Sequence, residues 1–156
     1  MVRSQVFSLA RNQRLADEDP GKGRRRDLVR PVLVFRALIA VEPNFHRNHG
    51  QLGYALRYAI PPKLDEAEQE LSTAITLRDA AGETGWLIYE LNRASLRAGQ
   101  DLGSSAPSSP ERSAVILSDL RSAARNPESL PEILRDEAIQ RWLRSNAPDT
   151  SELLRP

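Results

Sequence analysis

The feature that most constrains the fold of this chain is an apolar pattern of helical spacing that recurs along the sequence. Between residues 44 and 99, apolar side chains are separated by three or four positions, which places them on one face of each helix. Four apolar residues before Pro43 recur 36 positions later: Phe35, Leu38, Ile39 and Val41 are followed by Leu71, Ala74, Ile75 and Leu77. Leu52 and Ala55 recur as Leu91 and Ala94, 39 positions later. A helix pair that repeats at this length is typical of a helical solenoid.

Helix-ending residues divide this stretch into three predicted helices. Asn44 is a suitable N-cap for the first, which we expect to end near Ile60 because the prolines at 61–62 cannot continue a helix. The second begins at this double proline and ends near Gly82. The third ends at Gly99, before a segment rich in glycine, serine and proline.

These residues resemble the tetratricopeptide repeat, which has a length of about 34 residues. The matching positions are His49, Leu52, Gly53 and Leu56 on the first helix and Ala67, Leu71 and Ala74 on the second. The sequence departs from the family pattern at His49, which replaces a large aromatic residue, at Asp79, where proline is expected, and at Asn92, which replaces glycine. The resemblance implies an all-α, right-handed solenoid of about three helix pairs with a C-terminal capping helix.

The chain has 156 residues, a length that fits one domain. We predict a single repeat domain over residues 1–146, with its best-matched repeats at 24–99, a flexible loop at 100–110 and a capping helix at 130–146. Residues 147–156 are expected to form a frayed tail. Pro31 indicates that the helix carrying Phe35 either begins or is kinked there.

A third helix pair is predicted after the loop. Ile116, Leu120 and Ala123 repeat the spacing of the second-helix core residues 49 positions earlier. Ser109 and Pro110 have the residue types of an N-cap and a first helical position. Ser129 and Glu132 have the spacing of a capping box for the last helix.

Positive charge is concentrated near the N-terminus. Eight Lys/Arg stand against four Asp/Glu between Met1 and Phe35, although the net charge of the whole chain is +1. Residues 2–16 are expected to form a short, arginine-rich helix, and Arg24–Arg26 follow a glycine-containing turn. Three adjacent arginines are fewer than a nucleic-acid site usually has, so we favour a solvated helix start over nucleic-acid binding.

Motifs for catalysis are missing from the sequence. It has no cysteine, no HExxH zinc motif and no GxSxG nucleophile elbow. His46 and His49 have the spacing of two ligands on one helix face, but a metal site needs further ligands. We therefore expect His49 to pack between helices and His46 to be exposed, and we predict no enzyme activity, no cofactor and no metal.

The resemblance to the tetratricopeptide family implies a function in protein binding. In that family the first helix of each pair lines a concave groove for peptides or partner helices. The corresponding residues here are Arg47, Tyr54, Arg57 and Tyr58 in one unit and Trp86, Tyr89, Arg93 and Arg97 in the next. Arginine binds carboxylates through paired hydrogen bonds, and Tyr and Trp add contact area, so we expect an acidic peptide as the partner.

Other functions remain open at this stage. The arginine-rich N-terminal segment is an alternative site for nucleic acid, and an apolar end face is an alternative site for self-association or for bridging domains. No apolar run is long enough to span a membrane, and the start of the chain lacks the apolar segment of a signal peptide. A cytoplasmic location is therefore expected, while the oligomeric state and the identity of the partner stay open.

Overall fold

Every regular element that the structure describes is a helix. A computed structural model describes Ser8 and residues 29–85, 88–104 and 108–146. The chain forms two compact units, Met1–Glu83 and Thr84–Pro156. The predicted all-helical class is confirmed for the described residues, whereas the continuous solenoid and the single domain stay predictions. Apart from Ser8, the predicted helix at 2–16 lies outside the described residues, as do Arg24–Arg26 and the tail at 147–156.

Between residues 29 and 83, the first unit contains three helices that pack in chain order. They are α1 (Val29–Val41), α2 (His46–Arg57) and α3 (Leu64–Ala80), with α2 against both of its neighbours. Pro31 lies in the first turn of α1, where its missing N–H costs no helical hydrogen bond, so the helix begins there. Helix α2 ends at Arg57, three residues before the predicted end. The peptide bond between Ile60 and Pro61 is cis.

Helices α2 and α3 approach each other closely at Gly53. Leu52, Leu56, Leu71 and the alanines at 67 and 74 are buried around it. A Cβ atom added to Gly53 would lie 2.9 Å from Leu71 Cγ and 3.0 Å from the Ala67 carbonyl oxygen. The helices approach this closely because glycine has no side chain.

Helix α3 ends at a glycine turn, as predicted. Gly82 has a φ of +67°, in the left-handed region that favours glycine. The Glu83 amide donates to the Arg78 carbonyl oxygen at 3.1 Å, and the Gly82 amide donates to that of Asp79 at 3.0 Å. These bonds satisfy carbonyl groups at the end of α3 and turn the chain back.

The described residues of the second unit form four α-helices and one 3₁₀ turn. They are α4 (Ile88–Gly103), α5 (Pro110–Ala124), the 3₁₀ turn (Pro127–Ser129), α6 (Leu130–Arg135) and α7 (Glu137–Asn146). Its core contains Leu91 and Ala94 from α4, the predicted stripe Ile116, Leu120 and Ala123 from α5, and Ile133, Ile139, Trp142 and Leu143. This core is therefore formed by the repeated apolar positions of α4 and α5 together with side chains of the last two helices.

Helix α4 is longer than the sequence predicts. It continues to Gly103, so residues 100–103 are helical and the predicted loop at 100–110 begins later. Gly99 lies inside the helix and is exposed, and nothing stands within 4 Å of the position of an added Cβ. A glycine inside a helix costs only about 1 kcal/mol relative to alanine, which the packing of Ala94 and Ala98 offsets.

One of the three predicted helix caps is confirmed and two are wrong. Asn44 does not cap α2, because the helix begins at His46 and its N-cap position is Phe45, which makes no side-chain cap. The Ser109 hydroxyl accepts a hydrogen bond from the Arg112 amide at 3.2 Å, which caps α5 as predicted. Ser129 forms no side-chain cap, because its backbone is already helical after the 3₁₀ turn. The predicted last helix is instead interrupted at Asp136, whose carboxylate accepts from the Ile139 amide at 3.0 Å and caps α7.

Trp142 links α7 to the last turn of α4 and to the residue that precedes the N-cap of α5. Its side chain is fully buried. The indole Nε1–H donates to Asp101 Oδ2 at 3.1 Å and to Ser108 Oγ at 2.9 Å. Because a buried indole N–H without a partner is costly, Asp101 and Ser108 allow this large ring to serve as core.

Candidate functional site

Four of the predicted groove residues lie along one face of α2. Arg47, Tyr54 and Arg57 are on the helix, and Tyr58 follows it directly. Their separations of seven, three and one positions keep them within a single stripe of a helix with 3.6 residues per turn. All four side chains are partly exposed. The structure therefore brings together the predicted residues of the first unit on a face that solvent reaches.

Two tyrosines and an arginine form a compact group at the C-terminal end of this face. The ring centroids of Tyr54 and Tyr58 are 4.9 Å apart, with an angle of 44° between the ring planes. The Arg57 guanidinium carbon lies 4.9 Å from the centroid of the Tyr58 ring. Stacking on an aromatic ring holds the cation in place and leaves its in-plane N–H groups oriented for acceptors. We call Tyr54, Arg57 and Tyr58 the tyrosine–arginine cluster.

A carboxylate is bound at the opposite, N-terminal end of the face. The Nε2 atom of His46 is 3.0 Å from Glu83 Oε2, and the Nη2 atom of Arg47 is 3.8 Å from the same oxygen. The Arg47 guanidinium carbon also lies 5.7 Å from the centroid of the Phe45 ring. We call the site formed by His46 and Arg47 the carboxylate niche.

The prediction that His46 is exposed is wrong. Only 2% of its surface is accessible. Glu83, which lies 37 positions later in the sequence, contacts the His46 ring, because the turn at Gly82 directs Glu83 back to the first turn of α2. Helical spacing alone does not reveal such a partner.

His49 packs between helices, as predicted, and both of its ring nitrogens face hydrogen-bond acceptors. Its Nδ1 atom is 2.7 Å from Glu70 Oε2, and its Nε2 atom is 2.8 Å from the Pro43 carbonyl oxygen. A neutral imidazole has one N–H, so both bonds form only when the ring is protonated. Burial lowers the pKa of His49, but the bonds to Glu70 and Pro43 and the charge of Glu70 outweigh it and raise that pKa above 6.5.

This protonation predicts that the stability of the first unit depends on pH. Because the pKa of His49 is higher in the folded state, its contribution is fully present below the unfolded pKa of 6.5. That contribution is lost as the pH rises through the raised folded pKa. Urea unfolding followed over about pH 5 to pH 9 is expected to show this decline in the wild type, and a flatter profile in Glu70→Gln. If the free energy of unfolding declined equally with pH in the two proteins, this would contradict a protonated His49 that is bound to Glu70.

No metal site is associated with these histidines in the described part of the chain. No group of three or more His, Asp or Glu side chains there has an arrangement that could hold a metal ion. The two nitrogens of His49 are already engaged by Glu70 and Pro43.

The predicted groove residues of the second unit are placed differently. Tyr89 and Arg97 are buried, with exposures of 3% and 9%, and Arg93 is partly buried. Trp86 lies outside the described residues. Tyr89 and Arg97 are therefore not exposed in the way that the resemblance implies.

Asp119 explains the positions of the two arginines. The Nε and Nη2 atoms of Arg93 donate to its two carboxylate oxygens at 2.9 and 2.6 Å, and Nη1 of Arg97 donates at 2.9 Å. The Asp119 side chain is only 5% exposed. Sequence analysis missed this residue, although an acidic residue at the buried spacing of Ile116 and Leu120 indicates a buried ion pair.

No protein-family model, curated protein or solved structure matches this chain significantly. Function is therefore inferred here from the side chains of the chain itself. None of the described helices combines the length and the apolar character that crossing a membrane requires.

Proposed function

We propose that this chain is a non-catalytic protein-binding module that binds an acidic peptide along the exposed face of α2. The observation that carries this proposal is the tyrosine–arginine cluster, in line with Arg47 on the same helix. The face offers two guanidinium groups and two phenol rings that are partly exposed.

The chemistry of this face suits a peptide that carries carboxylates. Arg57 rests on the Tyr58 ring, so little conformational freedom is lost when it binds an anion. Tyrosine has few rotatable bonds and combines an apolar ring with a polar hydroxyl, which is why it is frequent among residues that dominate binding energy. A carboxylate on Arg57 and an apolar group on Tyr54 would use both properties.

A repeat fold related to the tetratricopeptide family is part of this proposal. Helices α2 and α3 are joined by six residues, and so are α4 and α5. Residues at matching positions are buried in both pairs: Leu52 and Leu91, Ala55 and Ala94, Leu71 and Leu120, and Ala74 and Ala123. The shared core pattern supports a common repeat, in which α2 would line the concave surface.

The proposed binding set is smaller than the set derived from the sequence. Arg47, Tyr54, Arg57 and Tyr58 remain in it. Arg93 and Arg97 neutralise the buried carboxylate of Asp119, so we assign them a role in stability. Tyr89 is assigned to the core because it is buried.

Arg57→Glu is the variant that tests the proposal. We expect the wild type to recover a protein partner from lysate of the source cells, and Arg57→Glu to lose it through at least a tenfold drop in affinity, because the charge at the cluster is reversed. Binding is compared at equal protein concentration and moderate salt. Arg121→Glu is the matched control, since Arg121 is an exposed helical arginine of the second unit and the charge change is identical.

The same experiment separates the alternative functions. Nucleic acid recovered equally by both proteins would transfer the function to the basic N-terminal segment. Recovery of the chain alone would favour self-association. Equal loss of a partner in Arg57→Glu and Arg121→Glu would show a general charge effect and would contradict a specific site on α2.

A further inference from the structure

We infer that Glu83 is an internal competitor for the ligand: its carboxylate occupies the niche of His46 and Arg47 in the free protein, and a ligand carboxylate replaces it. This inference rests on the proposed function, because it concerns the N-terminal end of the same α2 face. It assigns the niche to one carboxylate of an acidic peptide and makes Glu83 an autoinhibitory residue.

The niche has the chemistry of a carboxylate site because it already binds one. His46 is almost fully buried, so its ring is held in one position with Nε2 directed at Glu83 Oε2. Arg47 contributes a guanidinium group near the same oxygen and lies beside the Phe45 ring. A buried imidazole and a partly exposed guanidinium that converge on one oxygen would bind any carboxylate of similar reach.

Glu83 is held weakly enough to be replaced. Its side chain is 40% exposed, and its contact with Arg47 is 3.8 Å long, beyond an ordinary hydrogen bond. Ion pairs at exposed positions contribute little stability. The backbone amide of Glu83 donates a separate hydrogen bond to the Arg78 carbonyl oxygen, so the side chain can rotate away without opening the turn.

The length of the face sets the spacing of the ligand's acidic residues. Arg47 and Arg57 are ten positions apart on α2, which corresponds to about 15 Å at a rise of about 1.5 Å per residue. An extended peptide covers about 3.3 Å per residue, so this distance equals about four or five residues. The preferred ligand is therefore an extended peptide with two carboxylates at that separation, one in the niche and one at the tyrosine–arginine cluster.

Fluorescence polarisation with synthetic peptides tests this inference. The probe is a fluorescein-labelled serine–alanine peptide with two glutamates about five positions apart, and its partners carry glutamine at one or both positions. Glu83→Gln is expected to bind the diacidic probe about three- to tenfold more tightly than the wild type, because the apparent affinity rises with the fraction of empty niche. The gain should shrink when the probe has a single glutamate.

Glu66→Gln is the matched control. The Glu66 side chain is 35% exposed and forms ion pairs with Arg36 and Lys63 in the same unit. Glu66→Gln therefore changes the net charge as Glu83→Gln does, at a side chain of similar exposure. We expect its affinity to equal that of the wild type. Glu83→Asp keeps the charge but withdraws the carboxylate by one methylene group, and it should show part of the gain.

The outcomes distinguish failure of this inference from failure of the proposed function. If wild type and Glu83→Gln bind the diacidic probe equally, and Arg57→Glu binds it less, the internal competition is overturned and the peptide face stands. An equal gain in affinity in Glu66→Gln would show that the gain comes from the net charge alone, and it would also overturn the internal competition. If Arg57→Glu binds as tightly as the wild type, or if no variant binds, the proposed function falls together with the inference.

Discussion

Replacing Asp119 with alanine is expected to lower the free energy of unfolding of the second unit by about 3–5 kcal/mol. Its carboxylate is buried and accepts three hydrogen bonds from Arg93 and Arg97. Without it, two guanidinium groups with side-chain exposures of 16% and 11% keep their charge close together and lose the anion that neutralises them. Chemical denaturation of the full-length variant measures the effect.

Glu66→Ala is the control for this substitution. Glu66 also binds an arginine, Arg36, but the two side chains are 35% and 43% exposed. Ion pairs between exposed side chains contribute at most about 1 kcal/mol, so we expect a small change. If Asp119→Ala and Glu66→Ala lowered stability equally, Arg93 and Arg97 would not be stabilised by a buried carboxylate, and they would return to the set of candidate ligand contacts.

Gly53→Val is expected to destabilise the first unit by about 3 kcal/mol. The first side-chain carbon would lie within 3.0 Å of the Ala67 carbonyl oxygen, a backbone atom that moves only if α3 moves. It would also lie 2.9 Å from Leu71 Cγ, at the branch point of a buried side chain. The cost of separating two packed helices exceeds the gain in helix propensity that valine has over glycine.

Gly99→Ala provides the opposite expectation within the same chain. Gly99 is also a helical glycine, but the space around its added Cβ is open. Alanine should therefore stabilise the second unit by about 0.5–1 kcal/mol through helix propensity alone. A loss of stability in Gly99→Ala, or none in Gly53→Val, would contradict the close approach of α2 and α3 as the reason for glycine at position 53.

The substitutions at Asp119 and Arg57 separate the roles of the two units. The sequence predicts that Arg93 and Arg97 line the same kind of groove as Arg47 and Arg57. The first two bind a buried carboxylate, whereas the last two lie on a partly exposed face. Intact binding together with reduced stability is the expected phenotype of moderate changes at Asp119, such as Asp119→Asn. Intact stability with reduced binding is expected for Arg57→Glu.

Much of the helical framework could be predicted from the sequence, because each signal for it is local. The apolar stripe around Leu71 has the period of one helix face, Ser109 and Pro110 begin a helix, and Gly82 ends one. The candidate site could be predicted in part, since the positions of Arg47 and Arg57 on one face follow from helical geometry alone.

The sequence by itself determined most of the helical segments and the apolar stripes that form their buried faces, because hydrophobic periodicity and capping act over a few residues. Only the tertiary structure decided that Glu83 meets His46, that Asp119 binds Arg93 and Arg97, and that Glu70 and Pro43 flank His49. Each of these pairings depends on how helices and turns pack, and electrostatic partners separated by up to 37 residues leave no periodic signal in the sequence.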